Sequence, residues 1–140
     1  MVPSSLLLDL QRVTHLTLDA LVRELGDLQL TASEANVLAN LADGAELTAS
    51  ALAARVGSRP TTMTAVLDRL AVRGWIVREP HPTDRRAVVL HLTAAGRGVA
   101  RTVARAYERV EADLVAVLSP TAARSLRHSL RRLGEAGDAR

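Results

Sequence analysis

The chain has 140 residues, 48% of them hydrophobic and 24% charged, with a formal charge of +3 and no cysteine. That length suits one folded unit, 1–140, and the mixed composition excludes disordered and collagen-like chains. No apolar stretch approaches the ~18–20 residues of a bilayer span, so a cytoplasmic protein without a membrane partner is expected, while the lack of cysteine excludes disulfides, thiolate zinc sites and thiol redox chemistry.

Residues 5–25 place Val13, Leu18, Leu21, Val22 and Leu25 at helical intervals among Arg12, Asp19 and Glu24, which predicts an amphipathic helix ending near Gly26. Thr31-Ala-Ser-Glu34 has capping-box spacing, so a second helix should start there and run to about Ala42. Asp43-Gly44 supplies a turn. Thr48 is a candidate N-cap for a short third helix bearing Leu52 and Val56 and stopped by Gly57. Pro60 suits the first turn of a fourth helix, whose stripe is Met63, Val66, Leu67 and Leu70 and whose end is Arg73-Gly74.

Residues 75–79 and 87–92 alternate as a two-stranded hairpin should, and Glu46-Leu47 is a candidate for a further strand. The intervening segment from Pro80 to Arg86 is too long for a tight turn and ends in Asp84, Arg85 and Arg86, so it reads as a protruding loop. Thr93 should cap a helix over 94–118, with Gly96 and Gly98 weakening its first turn. Ser119-Pro120 should restart a shorter helix bearing Leu126, Leu130 and Leu133 and ending at Gly134, with residues 1–3 and 135–140 frayed.

The charge is unevenly spread. Residues 1–54 hold two arginines against seven acidic residues, 55–101 nine against three, and 102–140 seven against five; no basic residue is lysine. A basic middle in a nearly neutral chain points to a local anionic partner, although charge alone is equally consistent with a solvated face. The element order decides for the partner. It is mainly α with a small β-hairpin wing, a winged helix-turn-helix flanked by longer helices. A major groove about 12 Å wide admits one helix, and an arginine-tipped loop can reach the neighbouring minor groove.

With Met63, Leu67 and Leu70 turned inward, Thr61, Thr62, Ala65, Asp68 and Arg69 should face outward, with Thr64 at the margin. Threonine offers a hydroxyl to bases or phosphates and a methyl group to thymine, and Arg69 is the one group there for a bidentate base contact. Arg59, Pro60 and Arg73 border this helix, the two arginines being placed for phosphates. Arg85 and Arg86 are placed for the minor groove. Asp68 should orient a neighbouring arginine, and Asp84 should shape the loop through its own backbone.

The run from Leu47 to Gly57, Thr64-Ala-Val-Leu-Asp-Arg-Leu70, Arg73-Gly-Trp-Ile-Val77, and Asp84-Arg-Arg86 followed by Leu90-His-Leu-Thr93 and Gly96 resembles the multiple-antibiotic-resistance regulator (MarR) family. The motifs span roughly residues 30–98; the flanking helices match by order and length alone. The resemblance implies a homodimeric regulator, a pseudo-palindromic operator, frequent release by a small ligand, a groove-reading helix over 60–73 and a wing arginine at Arg86.

An isolated winged module makes few base contacts, so two half-sites about one helical turn apart call for two copies. Residues 30–93 are accordingly read as the DNA-binding lobe, and 4–26 and 94–134 as dimerisation helices. The resemblance also suggests an effector cleft between lobe and dimerisation helices. With Trp75 and Tyr107 the only aromatic residues, a stacking cage is hard to build, but Arg12, His15 and Arg78 could meet the carboxylate or phenolate of a small aromatic acid or phenol.

Histidines 15, 81, 91 and 128 have no metal-ligand spacing, and no nucleophile elbow or phosphate-cradling loop occurs, so neither cofactor nor enzymatic activity is expected. The reading is thus a cytoplasmic, nucleoid-associated repressor. Its rival is a winged-helix module whose partner is an acidic protein.

Overall fold

The computed structural model describes residues 4–138. The described residues form six α-helices: α1 (Leu6–Glu24), α2 (Ala32–Leu41), α3 (Ala49–Val56), α4 (Pro60–Val72), α5 (Ala94–Val115) and α6 (Pro120–Asp138). A 3-10 turn, Gly26–Leu28, follows α1. The strands are β1 (Leu47–Thr48), β2 (Ile76–Pro80) and β3 (Val88–Leu92). They form one antiparallel sheet in the order β1-β3-β2, with Leu47 opposite Leu90 and Arg78 on the other side of Leu90. The wing is therefore a hairpin extended by a short third strand.

Local chemistry explains most element boundaries. Thr31 and Glu34 make the reciprocal capping box, each side chain accepting the other's backbone N–H at 3.2 Å. Thr48 accepts from Ala51 N, and Thr93 from Gly96 N, at the starts of α3 and α5. Gly57 and Gly74 leave their helices at φ +67° and +75°, the left-handed backbone that glycine adopts without Cβ strain.

Gly134 does not stop α6, which continues to Asp138. It is not among the residues of positive φ, and a helical glycine in solvent costs about 1 kcal/mol relative to alanine without breaking the helix. At the other junction α5 ends at Val115, short of 118, in a turn closed by Leu118 N–H to the Val115 carbonyl. Residues 1–3, 139 and 140, expected to fray, lie outside the described residues.

The core is one cluster, in which Leu38 and Leu41 of α2, Leu52 of α3, Leu70 of α4, Leu90 of β3 and Val103 of α5 are all buried. Burial of this kind stabilises by roughly 1.5–3 kcal/mol per side chain. α2 packs on α5, while α3 and α4 pack against each other and against the sheet. The apolar residues of the outer helices are treated differently. Leu10, Val13 and Leu16 of α1 are exposed, as are Leu126, Leu130 and Leu133 of α6. No residue of α6 is buried among the described residues.

Candidate nucleic-acid interface

Helix α4 buries Met63, Val66, Leu67 and Leu70 and exposes Thr61, Thr62, Thr64, Ala65, Asp68 and Arg69. Its N-terminus carries Pro60 at the first position, with Arg59 exposed just before it. Thr64 donates its hydroxyl to the Pro60 carbonyl at 3.0 Å, which leaves the methyl group and the oxygen lone pairs outward. A turn away, α3 presents Ala54 and Arg55 to solvent. Arg55 is a further exposed cation, on α3, that helical periodicity alone did not single out.

The arginines at the far end of α4 are tied into the protein. Arg69 Nε donates to Glu34 Oε1 at 2.7 Å, with half of the arginine side chain still exposed. Arg73 donates to the carbonyls of Leu28 (2.7 Å) and Gln29 (3.2 Å), and its guanidinium lies 3.8 Å from the centre of the Trp75 ring. Carbonyls at the end of a helical turn attract cations, so Arg73 complements a helix terminus that belongs to the preceding segment and not to α4. Arg73 stays exposed, and each terminal nitrogen keeps a second N–H beyond these bonds.

The wing is held to α4 by Arg78 of β2, which donates to Asp68 at 2.6 Å. Asp68 thus orients an arginine, and Arg78 is engaged between β2 and α4. Arg12 and His15, grouped with Arg78 by chemistry, are exposed on α1 and lie on a separate element. None of the three lines the cleft of about 460 Å³ between α1 and α5, whose walls include Val13, Leu16, Thr17, Val110 and Leu114.

Arg85 and Arg86 are exposed at the tip of the wing loop. Asp84 Oδ1 accepts from Arg86 N at 3.0 Å and the Asp84 carbonyl from Ala87 N at 3.1 Å, which turns the chain at the arginines. His81 is the second organiser. Its Nδ1 accepts from the amides of Thr83 (3.2 Å) and Asp84 (3.0 Å), and the backbone amide of His81 donates to the Ala87 carbonyl at 3.0 Å, closing the base of the loop. Two-residue spacing to Thr83 was the available signal for this role, of the kind well known for aspartate and asparagine turns.

Glycine is required at one place behind the interface. A Cβ on Gly96 would lie inside the carbonyl oxygen of Trp75 and 2.7 Å from its carbonyl carbon. That carbonyl accepts from Thr93 N at 3.0 Å, while the Thr93 hydroxyl donates to Gly74 O at 2.6 Å. The end of α4, the end of the wing and the start of α5 are therefore locked in one junction.

Among the described residues no group of three or more histidines and acids could hold a metal ion. No described helix is long and apolar enough to cross a membrane.

Residues 28–87 match the MarR family profile. The multiple antibiotic resistance protein MarR of Escherichia coli is 34% identical over 82 residues, 58% of this chain and 57% of that protein. The chain spans little more than half the length of the curated relatives it matches. The apo crystal structure of E. coli MarR superposes with a TM-score of 0.73 at 25% identity, covering 92% of this chain and 96% of MarR. The S. aureus MepR–DNA complex gives 0.78 at 20% identity over 91% of this chain and 94% of MepR. BpsR of Bordetella bronchiseptica, whose DNA binding is regulated by 6-hydroxynicotinic acid, gives 0.82 at 22% over 95% of each. The last two likenesses concern the fold.

Proposed function

We propose that this chain is a transcriptional regulator of the MarR type, a homodimeric repressor binding a pseudo-palindromic double-stranded operator. The observation that carries the reading is the exposed outer face of α4 beside an arginine-tipped wing organised from within by His81 and Asp84. Thr61, Thr62, Thr64, Ala65 and Arg69 read the major groove, Pro60 sets the entry of that helix, Arg59 meets phosphate, and Arg85 and Arg86 enter the minor groove. The DNA complex of MepR, a protein of the same fold, supports this use of the fold.

The exposed leucines of α6 and the α1–α5 cleft support dimerisation. A 19-residue helix with an unburied apolar stripe needs a packing partner, since isolated helices of this length are marginal in water. The partner proposed is the same helix region of a second copy. The apolar walls of the cleft, Val13, Leu16, Val110 and Leu114, match the apolar stripe of α6. By analogy with BpsR, a small aromatic acid or phenol is the proposed effector class.

Selection of duplexes from a random pool tests the function directly and should return two half-sites about one helical turn apart. With about four phosphates neutralised per subunit, the slope of log affinity against log salt should lie near −7. Arg86→Ala should weaken the selected duplex about tenfold, a typical effect for one base-edge or groove contact. A wild-type protein that enriches no duplex and binds an acidic protein instead would overturn the proposal.

A further inference from the structure

We propose that Glu34 is a positioning residue for base recognition, acting through Arg69; this rests on the reading of α4 as the groove-reading helix. Glu34 is the one buried charged residue among the described residues, and both of its oxygens are in use. Oε2 accepts the Thr31 amide at 3.2 Å and Oε1 accepts Arg69 Nε at 2.7 Å. A capping box needs no burial, because a carboxylate in solvent can reach the same amide. What burial adds is a fixed anchor, since α2 packs on α5 and belongs to the body of the molecule.

The contact takes the side of the guanidinium and leaves its end free. Among the described residues no hydrogen bond is made by the two terminal nitrogens of Arg69, and half of the side chain faces solvent. That end is the fork that pairs with two acceptors of a guanine edge. An arginine free in solvent loses the freedom of its long side chain when it docks, whereas one held at Nε has lost much of it beforehand. The adjacent Asp68 grips Arg78 of the wing at 2.6 Å, so consecutive residues of α4 are tied to α2 on one side and to β2 on the other. The buried stripe sets the rotation of α4, and the bond from Glu34 sets where the Arg69 guanidinium points on its outer face.

The test uses the full chain as wild type, Glu34→Gln, Arg69→Lys, Arg69→Ala and the Glu34→Gln/Arg69→Ala pair. Each is titrated against the selected duplex and a shuffled duplex of equal length, and the ratio of the two affinities is read. Glu34→Gln keeps size and one acceptor but cannot serve both Thr31 and Arg69. It should lower the ratio about 5–10-fold, the lower end of what a bidentate base contact discriminates. Arg69→Lys should lower it similarly, because one ammonium cannot replace a fork held at its side. The pair should fall no further than Arg69→Ala alone.

A ratio unchanged in Glu34→Gln, with both affinities or the melting temperature lowered together, means a structural role only and overturns the proposal. Full additivity of the pair does the same. Should Glu34→Gln not fold, Arg69→Lys decides, since it leaves Glu34 and its cap in place, and a wild-type ratio in that variant is fatal. A wild type that prefers no duplex at all ends the DNA-binding reading and this inference with it; a preference that ignores Glu34 ends this inference alone.

Discussion

Replacing Gly96 by alanine is expected to destabilise the protein by about 3 kcal/mol or more, the upper part of the range for forcing atoms into a closed space. Helix propensity gives the opposite sign, because alanine within a helix is favoured over glycine by about 1 kcal/mol. The steric term wins because the obstruction is the Trp75 carbonyl and not a flexible side chain. That carbonyl is fixed by its bond from Thr93 N, and the Thr93 hydroxyl is fixed to Gly74. Gly98 is the internal control. The nearest atom to a Cβ there is Arg101 Nη2 at 4.0 Å, so Gly98→Ala should raise stability by up to about 1 kcal/mol. Thermal or urea denaturation at matched protein concentration separates the two, and equal effects from both substitutions would refute the junction argument.

The contrast between these glycines also marks what could be read from the sequence. Thr31 with Glu34, Thr48, Pro60, Gly74 and Thr93 all act within about three residues of themselves, and their roles as caps and stops follow from spacing alone. The outward face of α4 was legible for the same reason, since the period of Met63, Val66, Leu67 and Leu70 dictates what remains outside. Contacts between distant segments were not. Glu34 reads as half of a capping box, but its second oxygen meets a residue 35 positions away, and Arg73 reaches carbonyls 44 and 45 positions away. Gly96 reads as a weak helix residue until Trp75 is laid against it. Gly134 reads as a stop, yet a glycine ends a helix through its backbone angle and not through its identity. Periodicity therefore found the exposed face of α4, while tertiary contacts decided which of its side chains are bonded within the fold.

Changing Leu126 and Leu130 together to glutamate is expected to leave the chain monomeric and to reduce operator affinity by about 10²–10⁴-fold, the gain that joining two binding modules supplies. Both side chains are exposed in the single chain, 49% and 43%, so their loss leaves the core of Leu38, Leu52, Leu70 and Leu90 untouched. They lie one helical turn apart, on the stripe that Leu133 continues, and α6 is joined to α5 by the exposed Arg127–Glu111 pair, whose contribution to stability is small. New carboxylates on that stripe would set charge against the apolar walls of the proposed partner's cleft, a desolvation cost added to the lost apolar contact. Sedimentation reads the mass, and duplex titration reads the affinity. A half-site duplex isolates the cause. The variant should bind it as the wild-type subunit does, because α4 and the wing are unaltered. A variant that stays dimeric, or that loses the half-site as well, would show that α6 does not join two copies in the way proposed here.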